Sequence, residues 1–122
     1  MAKIWIFLGA LFGFLSVAFG AFGAHGLSRQ LDERSLTVFQ TGVQYQMFHS
    51  LALVALGVWS ATDPGISHTV PGSAFTAGIL LFSGSLYILA LTELKFFGLV
   101  TPIGGLLFLA GWAALAVAAL RS

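Results

Sequence analysis

Six polar side chains, Thr37, Gln40, Thr41, Gln44, Tyr45 and His49, recur at helical spacing inside a stretch that otherwise reads as membrane-buried. At about 100° per residue they fan across about half of a helix circumference. Amides and an imidazole facing hydrocarbon without partners cost several kcal/mol each, so this face must meet another helix, a subunit or water. Three kinds of chemistry fit such a face. An imidazole with an ordinary pKa of about 6.5 can relay protons near neutral pH. Amides and a phenol can bind a small ligand or line a permeation path. The same groups can also bond from helix to helix and simply hold a bundle together. His49 is the strongest single candidate, because an ionisable group inside a membrane segment is by default a functional hypothesis.

The remaining titratable groups add little. His25 follows the first apolar stretch and should lie near the membrane surface, about 15 Å from a mid-bilayer His49. That separation argues against a shared metal or haem iron, and no third ligand lies within reach. His68 falls in the loop at the opposite end and reads as a solvated residue. Glu93 and Lys95 flank the end of the third helix. They form a solvated hairpin tip, or, with Glu93 turned towards His25, a proton-accepting entrance. The chain has no cysteine, which excludes disulfides, thiolate metal sites, iron–sulfur clusters and thioether-attached haem. With no nucleophile–base pair, phosphate loop or carboxylate centre, the expectation is no catalytic residue, no metal and no cofactor.

These residues are positioned by membrane-spanning helices. Of 122 residues 58% are hydrophobic and 7% charged, where a soluble domain carries about 25% charged. The charges fall at Lys3, at Arg29 to Arg34, at Asp63, at Glu93 and Lys95, and at Arg121, leaving four uncharged stretches. Each exceeds the roughly 20 residues that cross a bilayer core as a helix. The expected fold is therefore all-α: one integral membrane four-helix bundle filling residues 1–122, with spans at about 4–24, 37–60, 73–93 and 102–120. Between the first two, Leu27 to Leu36 mixes leucines with Arg29, Asp32, Glu33 and Arg34 and reads as an amphipathic elbow at the interface. A cleavable secretory signal is the competing reading of the first span, but its apolar run exceeds the roughly 7 to 15 residues of a signal core.

Small residues should set the packing. Gly9, Gly13, Ser16, Gly20 and Gly23 recur every three or four positions and so form one seam, expected to face a neighbouring helix. Gly104 and Gly105 offer a similar surface on the fourth helix, and Ser83, Ser85 and Tyr87 give the third a polar face expected to meet the second. Pro71-Gly72-Ser73 should open the third helix, and Thr101 should cap the fourth, with Pro102 at its first position. Trp112 reads as a packing or interfacial aromatic. Scattered basic residues interleaved with acids exclude a nucleic-acid footprint and a polybasic lipid-binding tract. Two Lys or Arg on the terminal side against three on the other lean the elbow and hairpin towards the cytoplasm.

Gly20-Ala-Phe-Gly-Ala-His-Gly-Leu27, Thr41-Gly-Val-Gln-Tyr-Gln-Met-Phe-His49, Phe82-Ser-Gly-Ser-Leu-Tyr87, Pro102-Ile-Gly-Gly105 and Gly111-Trp112 together resemble the YgdD-like family of small bacterial membrane proteins. The resemblance covers almost the whole chain. It implies a polytopic inner-membrane protein and a domain of unknown function, and transfers no catalytic role. The sequence thus points to an oligomeric module contacting the lipid bilayer. A small molecule, ion or proton would be bound or permeated along Gln40, Thr41, Gln44, Tyr45, His49 and His25. The alternative is a non-catalytic assembly or scaffold protein whose stripe pairs with sister helices or a membrane protein partner.

Overall fold

The computed structural model describes residues 2–92 and 94–122. Glu93, for which the sequence left a hairpin tip and a proton entrance open, lies outside the described residues. The described chain is helical throughout: α1 (Ala2–His25), a single 3-10 turn (Leu27–Arg29), α2 (Glu33–Thr62), α3 (Thr69–Thr92) and α4 (Phe97–Arg121). Among the described residues, α1, α3 and α4 are each long and apolar enough to cross a membrane, whereas α2 is not among them. At 30 residues α2 is the longest helix, about 45 Å end to end.

The helix starts differ from those the sequence suggested. Asp32 ends the segment after α1, because its carboxylate accepts a 2.7 Å bond from the Ser35 N–H and so opens α2 at Glu33 instead of Thr37. Part of the expected elbow is therefore the first turn of α2. α3 opens at Thr69 and places Pro71 third, where the missing N–H has no intrahelical partner to lose. α4 opens at Phe97, so Thr101 is not its cap and Pro102 lies inside it. The Thr101 hydroxyl instead donates to the Phe97 carbonyl at 3.1 Å and shares a 2.6 Å bond with Ser85 of α3.

Close approach governs the packing. A Cβ on Gly9 would stand 2.7 Å from the Ser50 carbonyl oxygen, so α1 and α2 meet there at backbone distance. Gly13, Gly20 and Gly23 face Ser50, Val43 and Phe39 along the same antiparallel pair, and Ser16 is buried. α4 meets α3 most closely at Gly104, where a Cβ would overlap the Phe82 backbone. Phe82 belongs to a π-helical turn, Ile79–Ser83, that widens α3 at this point. A Cβ on Gly105 would make only ordinary van der Waals contact with the Phe82 ring.

Two apolar clusters occupy the interior. The larger gathers Phe12, Leu53, Leu56, Phe75, Ile79 and Phe108; the smaller gathers Leu27, Phe39 and Ala90 towards the His25 end. Between them along α2 lies a band of buried polar groups.

Candidate functional site

That band is organised by Gln46, 2% exposed. Its amide donates to the Phe12 carbonyl of α1 at 2.8 Å, and its carbonyl oxygen accepts the Tyr87 hydroxyl of α3 at 2.6 Å. One side chain thereby joins three helices. Ser50 donates to the Gln46 carbonyl, Ser83 to the Gly42 carbonyl and Ser16 to the Phe12 carbonyl, at 2.6, 2.7 and 2.8 Å. Gly42 is required opposite Tyr87, since a Cβ there would stand 2.7 Å from the ring. Among the described residues, no buried side-chain nitrogen or oxygen lacks a partner. The expected meeting of the third helix with the second is made by Ser83 and Tyr87, while Ser85 turns to α4.

His49 lies one turn further along α2, 4% exposed, with Phe108 stacked on it at 3.6 Å between ring centroids. Trp112 of α4 donates its indole N–H to His49 Nε2 at 3.0 Å, and His49 Nδ1 lies 2.7 Å from the Tyr45 carbonyl. An indole can only donate and a carbonyl can only accept. The imidazole is therefore the neutral Nδ1–H tautomer, with both nitrogens engaged by protein. A proton arriving at Nε2 would have to displace the indole. Trp112, read from sequence as a packing aromatic, is also the polar partner that fixes this ring.

Outside His49 runs a groove of ≈ 590 Å³ walled by Tyr45 and Phe48 of α2, Phe82 of α3, and Phe108 and Trp112 of α4. Its lining is almost wholly apolar and aromatic, with Gly105 part of the wall. Such a surface accepts an apolar chain or ring and offers little to an ion.

The six stripe residues do not converge on one cavity. Thr37 and Thr41 bond back to the Glu33 and Thr37 carbonyls at 2.9 Å each, which satisfies them within α2. Gln40 and Gln44 are exposed on the outer side of the helix, with Tyr45, 40% exposed, beside them. His25 is exposed at the end of α1. Gly23, two residues before it, faces Phe39, which precedes His49 by ten residues or about 15 Å. No three His, Cys, Asp or Glu among the described residues are placed to hold a metal. His68 is not the solvated residue the sequence suggested, because its Nδ1 accepts the Trp5 indole N–H at 2.9 Å and it is only half-exposed.

Sequence reasoning missed Gln46 and Ser50. A signal was available: they share the face of Phe39, Gly42 and Leu53, three and four residues apart, on a different side of the helix from Gln40 and Gln44. Two polar faces on one helix leave open which is buried until the neighbours are known.

Helices of this apolarity, joined by a polar interior, define an all-α, multi-pass membrane protein. Residues 19–105 match the family described as Protein of unknown function (DUF423), and the chain belongs to that family. A UPF0382 membrane protein of Staphylococcus haemolyticus is 47% identical over 98% of this chain and 97% of its own length. UPF0382 membrane protein YwdK of Bacillus subtilis is 45% identical, with 98% of each chain covered. UPF0382 inner membrane protein YgdD of Escherichia coli is 42% identical over 98% of this chain and 92% of its own length. No solved structure matches the chain. With these relatives and its apolar helices, the chain is a protein of the bacterial inner membrane.

Proposed function

We propose that this protein is a non-catalytic assembly module: a four-span bundle with an interfacial elbow after α1, associating through the outer face of α2 with a second copy or a partner's membrane helix. The observation that carries the reading is the position of Gln44. Its amide is exposed and makes no side-chain hydrogen bond among the described residues, yet it lies only five residues, about 7 Å, from His49. If His49 is near mid-bilayer, that amide faces hydrocarbon in an isolated protomer, a placement costing several kcal/mol unless another chain supplies a partner. α2 is also the helix least suited to lipid on its own. The aromatic groove beside Tyr45 gives an incoming helix a place to seat an apolar side chain.

A binding or permeation role is the second reading, and the same groove favours it. Inside a single protomer the geometry supports it less, because the buried polar groups are occupied by one another and His49 is held at both nitrogens. A path would therefore run between protomers, along Gln44 and Tyr45.

Single-cysteine scanning tests the proposal on a chain with no native cysteine. Oxidant added to membranes containing the Gln44→Cys variant should yield a cross-linked dimer or an adduct with a partner. Phe14→Cys, exposed on α1, should yield little. Equal cross-linking at both sites, or none at Gln44, would overturn the assembly reading.

A further inference from the structure

A second concavity lies at the His25 end of the molecule, away from the groove. It measures ≈ 360 Å³ and is bounded by the start of α2 and by the end of α3 with its turn into α4. Its rim carries Asp32, Arg34, Ser35 and Lys95, and its floor is Val38, Leu89 and Ala90, of which Ala90 is buried. Cationic ends from two separate elements thus stand over an apolar base. The Asp32 carboxylate is already committed, accepting the Ser35 N–H at 2.7 Å. With one acid against Arg34 and Lys95, the described residues of the rim carry a net charge of +1.

The surroundings place this pocket at a bilayer boundary and not in open water. Leu94 and Phe96, on either side of Lys95, are 55% and 66% exposed, so the turn presents apolar side chains outwards with a single cation between them. That pattern suits a turn dipped into the interface, with the lysine reaching up to the phosphate layer. In sequence this end also holds Arg29, Arg34 and Lys95, three of the five basic residues of the chain, interleaved with Asp32, Glu33 and Glu93, so any attraction for an anion has to come from the local arrangement at the pocket. Basic pockets between membrane helices at that depth recognise lipid headgroups through charge, with the chains lying along apolar walls.

We infer that this pocket binds an anionic phospholipid, the phosphodiester between Arg34 and Lys95 and an acyl chain against Val38, Leu89 and Ala90. One negative charge on the headgroup matches the net charge of the described rim residues. The site is separate from the assembly face, which lies about two turns further along α2.

Purified protein in neutral detergent, titrated with phosphatidylglycerol and followed by native mass spectrometry, tests the inference. Arg34→Gln and Lys95→Gln should each weaken binding about five-fold, and the double variant about 25-fold. Arg29→Gln, at the same end but outside the pocket, should leave it unchanged. Circular dichroism and gel filtration confirm that these surface variants stay folded. An equal loss in Arg29→Gln would reduce the effect to a diffuse surface field, and equal binding of phosphatidylcholine would remove the role of charge. Displacement of the lipid by millimolar inorganic phosphate would reassign the pocket to a soluble anion. Each of these three results overturns the lipid site.

Discussion

Helix α2 carries glutamine on both of its faces, and the two faces have opposite fates. Gln46, turned inward, has its amide and its carbonyl each bonded across to a different helix. Gln44, two residues earlier and turned outward, makes no side-chain bond among the described residues. The same residue type in the same helix is thus a closed structural joint on one side and an open valence on the other. Polarity inside a membrane segment shows only that a residue avoids hydrocarbon. Whether it is satisfied depends on what stands opposite.

The comparison can be broken most directly by replacing each glutamine with leucine. Gln46→Leu should cost about 1–3 kcal/mol, because it removes two interhelical bonds and leaves the half-buried Tyr87 hydroxyl without that acceptor. Gln44→Leu should change protomer stability by less than about 0.5 kcal/mol while weakening self-association. Reversible unfolding in mixed micelles, read beside cross-linking yield, separates the two quantities. Equal destabilisation by both variants would mean that the faces are not distinct in kind.

A smaller effect is expected at His49, which stands between the two faces. His49→Leu removes the Trp112 bond and the stacked Phe108 contact and should cost about 1 kcal/mol, with the bundle intact. The Trp112 indole N–H resonance should shift markedly in that variant while those of the other two tryptophans stay in place. An unmoved Trp112 signal would show that the imidazole is not its acceptor.

The smallest effect is at the start of α2, where the fully exposed Asp32 joins the connecting segment to the helix. The Ser35 N–H holds the Asp32 carboxyl below its ordinary value of 3.8. A depressed carboxylate contributes fully above that ordinary value and loses its contribution as pH falls through the lower, folded one. Protection of the Ser35 amide relative to its intrinsic exchange rate should therefore fall below pH 3.8, and Asp32→Ala should show the reduced protection above that pH as well.

Much of this was legible in the residues themselves. Charge placement pointed to an all-helical membrane chain, of which three helices are long and apolar enough to cross a membrane, and the family motifs identified the relatives. Helix starts were less legible. Thr101-Pro102 satisfies the rule for a helix start, yet a 2.6 Å bond to Ser85 and a start at Phe97 place both residues inside α4. Capping preferences describe local competition, and a contact with a residue 16 positions away is not local. His68 was misread for the same reason, its partner Trp5 lying 63 residues off.

The sequence by itself determined that this chain is a helical membrane protein, because uninterrupted apolar runs of more than about 20 residues satisfy their backbone in lipid as helices and lack the alternation of a barrel strand. It also determined that α2 had to be different, since six polar side chains cannot all face hydrocarbon. Only the tertiary structure decided which side of α2 is inside. In water, hydrophobicity marks the interior; in lipid, interior and exterior are equally apolar, and the small residues that let helices approach make the choice. Gly9 and Gly42 bring α1 and α3 against the Gln46 face, and Gln44 is left pointing out.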